Sequence, residues 1–359
     1  MAASVVPSTD NPYNLIVTEP PSFVRPYVIP DLSGPAVVLI NDAIRAPINN
    51  LSSGGAFSLL QLNAQNYIRS GYGDLYQTPP HYHSRFHETF FCYKGEVTLW
   101  ANGEARMLTA QDFGSMPTMQ NHSYSFTEPD STLLAFITPG GFEHFYWNVS
   151  VPLVDPTNAP FAPDIHTHFL ESTFEAAIGP VFDVIPIFNS QFSYNFTNGT
   201  TNQSAPWHNG KTTAPNNAKE PYYLANNWSQ RFLHRATGQV IQPRATAVQS
   251  GGNFTLSTMV MRGRAANETT AEYTFDGPAV LPDPRGHHDD PDDVPDRVDE
   301  HGGYRFHPCW DGFLVLERGC FYEGVSRLCA GGGVERCVGC AGGAVGLRGV
   351  SFVFWESYE

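Results

Sequence analysis

Residues 79–88 of the chain are Pro-Pro-His-Tyr-His-Ser-Arg-Phe-His-Glu. Residues two apart on a β-strand project from the same face, so His81 and His83 are predicted to point together into the space behind that strand. Glu88 follows after a short break, and His122 lies in a second strand-like stretch. Three imidazoles and one carboxylate favour a first-row transition metal that keeps an open position for a substrate. The sequence therefore predicts a metal site formed by these four side chains.

The surrounding region, from about residue 20 to 150, has the pattern of an all-β protein. Short runs of β-branched and aromatic residues are separated by Gly, Pro, Asn or Asp. Lys94-Gly95 and Asn102-Gly103 are tight-turn signals between such runs. The runs are too many and too short for a parallel α/β sheet. We therefore expect a closed antiparallel barrel over residues 20–150, and we expect this barrel to bind the metal.

An internal repeat predicts a second domain of the same kind. Ser53-Gly-Gly-Ala-Phe-Ser-Leu59 recurs as Ser250-Gly-Gly-Asn-Phe-Thr-Leu256, and upstream Pro26-Tyr27 recurs as Pro221-Tyr222. Two matched landmarks at similar spacing indicate a duplication. We expect a Pro- and Asn-rich connector at 151–218 and a partial second domain, without a metal, at 219–282.

The composition changes abruptly near the end of the chain. Residues 283–359 contain no Asn, Gln, Thr, Lys, Ile or Met, and they hold five of the six cysteines. They also contain a dense acidic run at 287–293, which is typical of a solvated, disordered segment. We predict that 283–359 is an aberrant, disordered tail that leaves the second barrel incomplete.

Charge and hydropathy narrow the partners. The formal net charge of -15 over 359 residues argues against nucleic acid or an anionic membrane surface. No run of about 18 apolar residues exists, so no membrane-spanning helix is expected. The chain starts without a basic, then apolar, leader, yet it is dense in Asn-x-Ser/Thr sequons, which favours a secreted protein over a cytoplasmic one. The sequons begin at Asn50, Asn148, Asn195, Asn198, Asn202, Asn227, Asn253 and Asn267.

Other histidines and cysteines fit the predicted site less well. His87 adjoins Glu88, so strand alternation places it on the opposite face. His144 is expected to be a packing or helix residue, and Cys92 a buried thiol. The second His-x-His, at 166–168, lacks a preceding strand and a correctly spaced Glu. We expect no second metal site there, nor at the histidines and cysteines of the tail.

Three aromatic residues share a predicted face with the ligands. Phe90 lies two residues after Glu88, and Tyr124 and Phe126 lie two and four residues after His122. If alternation holds, all three project toward the metal side. They are predicted to line a cavity for a flat apolar ligand, although ordinary barrel core would show the same pattern.

The motifs resemble those of the cupin family. The first cupin motif is a Gly followed by His-x-His, three or four residues, Glu, six residues and Gly. It is matched by His81, His83, Glu88 and Gly95, without the leading Gly. The second motif is matched by Pro117 and His122, with Met119 in place of a Gly and Phe126 in place of an Asn. The resemblance implies double-stranded β-helix barrels, here in tandem.

Within the cupins, residues 88–101, 112–117 and 138–142 resemble the fungal quercetin 2,3-dioxygenases. These are secreted, glycosylated bicupins with one metal, usually copper, in the amino-terminal cupin. The resemblance implies one divalent transition metal, copper first, with iron, manganese or nickel as alternatives. It implies a flavonol and O2 as small-molecule partners, and a homodimer is possible. Carbon monoxide and a depside are the implied products.

The same resemblance gives Glu88 a catalytic role. A metal held by His81, His83 and His122 lowers the pKa of the flavonol 3-hydroxyl, and Glu88 is placed to accept that proton. We expect the apolar wall at Phe90 to raise the pKa of Glu88 toward neutrality.

Three other functions remain open on the sequence. One is a different metal-dependent cupin enzyme, such as a decarboxylase or isomerase, whose cavity would carry Arg or Lys; Arg85 is the cation near the motif. Another is a non-catalytic binding cupin, which would lack some of the metal ligands. The last is an inactive, truncated bicupin with exposed strand edges.

Overall fold

The computed structural model describes residues 16–40, 42–64, 78–153, 159–160, 179–187, 193, 195–201, 207–235, 239–262, 279–283, 312–316 and 350–358. Within these residues the regular secondary structure is almost entirely β-strand, which confirms the predicted all-β class. Three short helices are described: α1 (Glu143–Val149), α2 (Gly179–Phe182) and α3 (Ala247–Ser250). None of them has the length and apolar composition needed to cross a membrane.

An eight-stranded antiparallel sheet forms the centre of the molecule. Its strands pair in the order β12 (Val151–Leu153), β2 (Ala36–Leu39), β3 (Asp42–Ile48), β4 (Ser58–Ala64), β11 (Ser131–Thr138), β6 (His87–Lys94), β9 (Phe113–Met116) and β14 (Tyr222–Leu224).

A five-stranded antiparallel sheet packs against one face of the central sheet. Its order is β13 (Ile185–Pro186), β5 (His81–Tyr82), β10 (His122–Phe126), β7 (Glu96–Ala101) and β8 (Glu104–Thr109). Gly95 turns the chain from β6 in one sheet to β7 in the other with φ of +75°. A Cβ there would lie 2.1 Å from the Ser131 hydroxyl oxygen, so the turn requires glycine.

A seven-stranded sheet lies beyond the other face. Its order is β1 (Tyr27–Pro30), β19 (Gly312–Leu316), β18 (Ala279–Asp283), β20 (Val350–Tyr358), β17 (Phe254–Arg262), β16 (Gln239–Ala245) and β15 (Phe232–His234). The pairs that involve β20 are parallel and the others antiparallel. Two strands of the predicted tail, β19 and β20, take part in this sheet, and most of residues 283–359 lie outside the described residues.

Strand alternation divides the apolar residues between two cores. Phe90 belongs to the core shared by the eight- and five-stranded sheets. Its neighbour Phe91 belongs to the core shared by the eight- and seven-stranded sheets. In β11, Leu133 and Leu134 divide in the same way, so both faces of this strand are buried. The central sheet is therefore a wall between two apolar interiors, and the metal-ligand residues lie on the side of Phe90. The predicted arrangement of two tandem barrels, with the bounds given above, stays a prediction.

Candidate metal centre

The four predicted ligands come from three strands that meet at one end of the first core. His81 starts β5, His83 follows its end, Glu88 is the second residue of β6, and His122 starts β10. His81 and His122 are direct partners in the pairing of β5 with β10. All four residues are buried, with exposed fractions of 1–6%.

The ligand atoms of these residues converge. One nitrogen from each histidine and one Glu88 oxygen all lie within 4.8 Å of one another. Oε2 of Glu88 is 2.9 Å from Nε2 of His122 and 3.2 Å from Nε2 of His83. The structure therefore brings all four sequence-predicted ligands to one point.

Hydrogen bonds fix how the three imidazoles are turned. In each ring Nδ1 lies within hydrogen-bond distance of a backbone carbonyl oxygen, which can only accept, so Nδ1 carries the proton. Nε2 of each ring is then a lone-pair donor that faces the centre of the cluster. The three bonds run from His81 to Pro79 (2.8 Å), from His83 to Asp183 (2.6 Å) and from His122 to Gln120 (2.9 Å).

This arrangement fits a divalent metal. Three nitrogen lone pairs and a carboxylate oxygen repel one another at these distances unless a cation lies between them. Nε2 of His83 is buried and has no hydrogen-bond partner, which is costly unless it binds something. Burial, followed by the neighbouring His122 and His83, holds the pKa of His81 well below its ordinary value. His81 is therefore neutral and able to bind a metal near pH 7.

The electrostatics of Glu88 differ from the sequence prediction. Burial does raise the pKa of this carboxyl, as expected, but the close contacts with the imidazoles of His122 and His83 outweigh it. The net effect holds the pKa of Glu88 below its usual range. The prediction that an apolar wall keeps a proton on Glu88 near neutral pH is therefore wrong, because the imidazoles of His122 and His83 lie only 2.9 and 3.2 Å from the carboxylate. Glu88 is a carboxylate at neutral pH.

Asp183, far along the chain, organises the segment between two of the ligands. Its backbone carbonyl accepts the proton of His83 Nδ1. Its carboxylate accepts from the backbone N–H groups of Ser84 (3.0 Å) and Arg85 (2.6 Å), and from the Ser84 hydroxyl. These hydrogen bonds lower the pKa of Asp183 against the opposing effect of burial. Sequence reasoning missed this residue, since it lies in the predicted connector and no local motif marks it.

A narrow cavity opens beside His81. Its volume is about 30 Å³, room for a few waters, whereas sites for drug-sized ligands hold about 300 Å³ or more. Wall side chains must therefore move for a flat aromatic ligand to enter. The cavity is lined by Leu39, Ile40, Asp42, Ile44, Thr78, Pro79, His81, Tyr124, Phe142, Phe145, Tyr146 and Val184.

The predicted aromatic lining is only partly at this cavity. Tyr124 is in its wall. Phe90 and Phe126 are not among the lining residues and are buried in the first core instead, with exposed fractions of 1% and 0%. Phe90 still packs near the cluster, with its ring centroid 5.9 Å from that of His122. The aromatic wall is supplied mainly by Phe142 and by residues of α1, which follow the 138–142 segment quoted above.

His87, His144 and Cys92 lie where the sequence predicts. His87 lies on the opposite face of β6, where it contacts Ser115 (2.8 Å) and the ring of Phe254 (4.9 Å). His144 is in α1, and Cys92 is a buried free thiol. The second His-x-His at 166–168, the histidines at 287–288 and the cysteines of 309–340 lie outside the described residues.

Arg85 points away from the metal cluster. Its side chain is 59% exposed, and it lies 3.8 Å from the Asp183 carboxylate. Its guanidinium also donates to the backbone oxygen of Val181. Among the described residues, no Arg or Lys lines the cavity beside His81.

Comparison with known proteins identifies two similar enzymes. Quercetin 2,3-dioxygenase of Aspergillus japonicus is 31% identical over 281 residues, which span 74% of this chain and 77% of that enzyme. Quercetin 2,3-dioxygenase of Bacillus subtilis (strain 168) is 26% identical over 136 residues, which span 38% of each chain.

Similarity to solved structures is weak, and the chain matches no family model. KdgF from Halomonas sp. is 16% identical, with 29% of this chain and 84% of that chain covered at a TM-score of 0.24. A mutant of Bacillus subtilis oxalate decarboxylase is 12% identical, with 30% and 27% covered at a TM-score of 0.25. Scores of this size carry no weight for fold or function.

Proposed function

The chain belongs to the quercetin 2,3-dioxygenase family of cupins, which use a divalent metal, and we propose that it cleaves the central ring of flavonols with O2. One O2 is consumed, and carbon monoxide and a depside are released. The observation that carries the proposal is the buried meeting point of His81, His83, Glu88 and His122. The similarity to quercetin 2,3-dioxygenases supports flavonol cleavage as the reaction of this centre.

The four residues of the cluster would hold the metal. When bound there, the metal supplies Lewis acidity that lowers the pKa of the flavonol 3-hydroxyl. Glu88, a carboxylate at neutral pH, accepts the proton of that hydroxyl. The carbonyl oxygens that bond the three Nδ1–H groups keep the imidazoles in one orientation throughout.

Aromatic side chains supply the apolar part of the site. The ring of Phe142 packs edge-on against His83, with centroids 4.8 Å apart, and stacks with Phe145 at 5.6 Å. Such a wall binds a flat ring system and excludes water from the reacting atoms. After these side chains move apart, a flavonol has apolar contacts on its faces and the metal ligands at one end.

An acid decarboxylase is the main competing function, and the position of Arg85 disfavours it. A decarboxylase substrate carries a carboxylate, which needs a cationic partner in the cavity. Arg85 is on the outside, and the described cavity wall has no Arg or Lys. An isomerase and an inactive, truncated bicupin remain as alternatives. A non-catalytic binding protein is disfavoured, since all four ligands are in place.

Anaerobic addition of a flavonol to metal-loaded protein, followed by air, tests the proposal. We expect the flavonol absorbance to persist without O2 and to disappear after air is admitted, with one carbon monoxide released per flavonol. A His122→Ala variant is the matched control and is expected to be inactive. Stable flavonol absorbance in air, or consumption without carbon monoxide, would rule the proposed reaction out. Offering oxalate to the same protein tests the decarboxylase alternative.

Three finer points are proposals that rest on the sequence and the family. We propose copper as the metal, with iron, manganese or nickel as alternatives, to be decided by elemental analysis of purified protein. Secretion with glycosylation at the sequons is proposed over a cytoplasmic location, and treatment of the native protein with a glycosidase tests it. A homodimer is proposed, and its mass in solution tests that.

A further inference from the structure

A buried carboxylate faces the cavity beside the metal cluster, and the proposed reaction does not use it. Asp42, at the start of β3, has an exposed fraction of 3% and lines the cavity together with His81. The hydroxyl of Tyr124 donates to Oδ2 of Asp42 at 3.1 Å. Tyr124 is equally buried and lines the same cavity. The pair connects the eight-stranded sheet to the five-stranded sheet at the cavity wall.

The rest of the wall makes this pair chemically distinct. Leu39, Ile44, Phe142, Phe145 and Val184 present apolar surface to the cavity. A ligand that offered only apolar atoms would cover the carboxylate without adding a hydrogen bond to the one that Tyr124 donates. A ligand hydroxyl at the same place could donate to Asp42, because a carboxylate has about four acceptor positions.

The tyrosines of the wall add donors to that acceptor. The hydroxyl of Tyr124 donates to Asp42 and can also accept from a ligand, and Tyr146 lines the same cavity. A hydroxyl placed here finds an acceptor in Asp42 and donors or acceptors in the phenols.

We infer that Asp42 and Tyr124 bind a second hydroxyl group of the substrate, one other than the hydroxyl that the metal binds. This inference rests on the proposed function and makes it more specific. The enzyme should prefer polyhydroxylated flavonols to 3-hydroxyflavone, whose single hydroxyl is taken by the metal. Asp42 and Tyr124 are thus residues that determine specificity. They are not required for opening the ring.

The preference has an expected size. A site built to bind a hydroxyl discriminates against the analogue that lacks it, because that analogue forms one hydrogen bond fewer in a buried polar site. The loss of one such bond to a buried group corresponds to roughly 10- to 100-fold in kcat/KM. We therefore expect quercetin to exceed 3-hydroxyflavone by at least about tenfold in the unmodified enzyme. Galangin and kaempferol, which carry intermediate sets of hydroxyls, show which hydroxyl is bound.

The test compares kcat/KM for these four flavonols in the unmodified enzyme and in Tyr124→Phe and Asp42→Asn. Each variant keeps the shape of its side chain. The preference for quercetin over 3-hydroxyflavone should shrink by about tenfold, and metal content should stay at the unmodified level. Tyr27→Phe is the matched control: it removes a buried tyrosine hydroxyl, bonded to Pro47 and Ser52, that does not line the cavity. It should leave the preference unchanged.

Two outcomes would overturn the inference. One is an unmodified enzyme that handles quercetin and 3-hydroxyflavone equally well. The other is a pair of variants that lower activity on both substrates by one common factor, as a merely structural defect would. Failure of the proposed function looks different, since no flavonol is then consumed. In that case flavonol binding, followed by tryptophan fluorescence, decides: equal dissociation constants for quercetin and 3-hydroxyflavone contradict the inference, and a preference lost in Tyr124→Phe supports it.

Discussion

The two Ser-Gly-Gly segments form the same turn in two different settings. The Ser53 hydroxyl donates to the backbone oxygen of Phe57, and the Ser250 hydroxyl to that of Phe254, each at 2.6 Å. The glycines after each serine have φ values of +61° and +83° in the first copy, and +64° and +87° in the second. These values lie in the left-handed region that favours glycine. The repeat in sequence is therefore also a repeat in conformation.

The strands that precede the two turns lie in different sheets. Tyr27, before the first turn, lies in β1 of the seven-stranded sheet, whereas Tyr222, before the second, lies in β14 of the eight-stranded sheet. Each tyrosine hydroxyl donates to a backbone oxygen some twenty residues further on, that of Pro47 at 2.7 Å and that of Arg244 at 2.9 Å. The two tyrosines thus make the same kind of hydrogen bond in two different sheets.

The two repeated regions differ in sequence at the positions of the predicted metal ligands. Shifting the four ligands by the offset between Ser53 and Ser250 leads to Pro278, Val280, Arg285 and Gly319, which are not metal-ligating residue types. Val280 is in β18, and the other three lie outside the described residues. The Ser-Gly-Gly turn and the preceding tyrosine occur in both repeated regions. The metal cluster depends in addition on the 79–88 segment, on β10 and on the hydrogen bonds of Asp183.

Glu88→Gln should give the largest effect. It should show that activity depends on the cluster in the first of the two repeated regions. The amide keeps the shape of the carboxylate but cannot accept the substrate proton, so kcat should fall by about 10²- to 10⁴-fold. Metal content, measured by elemental analysis, should stay at the unmodified level. Ser250→Ala, in the second copy, serves as control and should leave turnover intact. Normal turnover by Glu88→Gln would show that another group takes the proton.

His87, which packs against Phe254 of the second repeated region, should make the free energy of unfolding depend on pH. Burial lowers its pKa from 6.5 to about 4, so between these values the unfolded chain binds a proton that the folded chain does not. The free energy of unfolding therefore falls as the pH drops from 6.5 toward 4, by about 3 kcal/mol in total.

Urea titrations of metal-free protein across this pH range measure the effect, with His87→Gln as the matched variant. The variant has no proton to gain at this position, so its stability should fall less steeply with acid by that amount. Parallel pH profiles for both proteins would mean that His87 is not held neutral against Phe254 and Ser115.

Asp183→Ala should weaken metal binding by about 10- to 100-fold, as loss of support around a metal-ligating histidine does. The carboxylate no longer holds the Ser84 and Arg85 N–H groups, so the segment from His83 to Glu88 loosens. Competition with a chelator of known affinity measures the change.

Asp183→Asn should restore most of that affinity. Asparagine tolerates the left-handed φ of +60° found at this position and still offers an acceptor oxygen to Ser84. Arg85→Ala, which removes an exposed side chain, should leave metal affinity unchanged. Equal loss of affinity in the asparagine and alanine variants would argue against the role given to these hydrogen bonds.

Ser53→Ala and Ser250→Ala should have the smallest effects of these substitutions. Their losses in free energy of unfolding should be nearly equal. Each removes a buried hydroxyl that donates to a phenylalanine carbonyl at 2.6 Å and accepts from the N–H of the same phenylalanine. Each should therefore lower the free energy of unfolding by about 1–2 kcal/mol. Urea denaturation of the two variants side by side measures the difference between them. If only one of the two variants lost stability, the two turns would be alike in conformation but unequal in their contribution to the free energy of unfolding.

Local patterns in the sequence predict much of the fold and the metal ligands. The spacing of His81, His83 and Glu88 is a short-range signal, and strand alternation places His87 on the opposite face correctly. The Asn102-Gly103 turn has positive φ at both residues, as its dipeptide indicates. These features depend on residues within a few positions of one another, and a single sequence contains that information.

Features that depend on distant contacts could not be predicted in this way. Asp183 reaches His83 from 100 positions away, and Asp42 meets Tyr124 across 82. No local period marks either contact. Alternation correctly gives Phe90 and Phe126 the same side as the ligands, but it does not tell how deep a side chain lies, and both are in the core. The pKa of Glu88 likewise depends on imidazoles that only the folded chain brings near.

The number of divalent ions bound per chain tests the central claim most directly. Protein loaded with metal, dialysed and measured by elemental analysis should hold one ion per chain, and a variant with both His81→Ala and His83→Ala should hold none. Circular dichroism of the variant should show that the sheets remain. Two ions per chain, or one ion that survives the loss of both histidines, would contradict a single metal centre in the first copy.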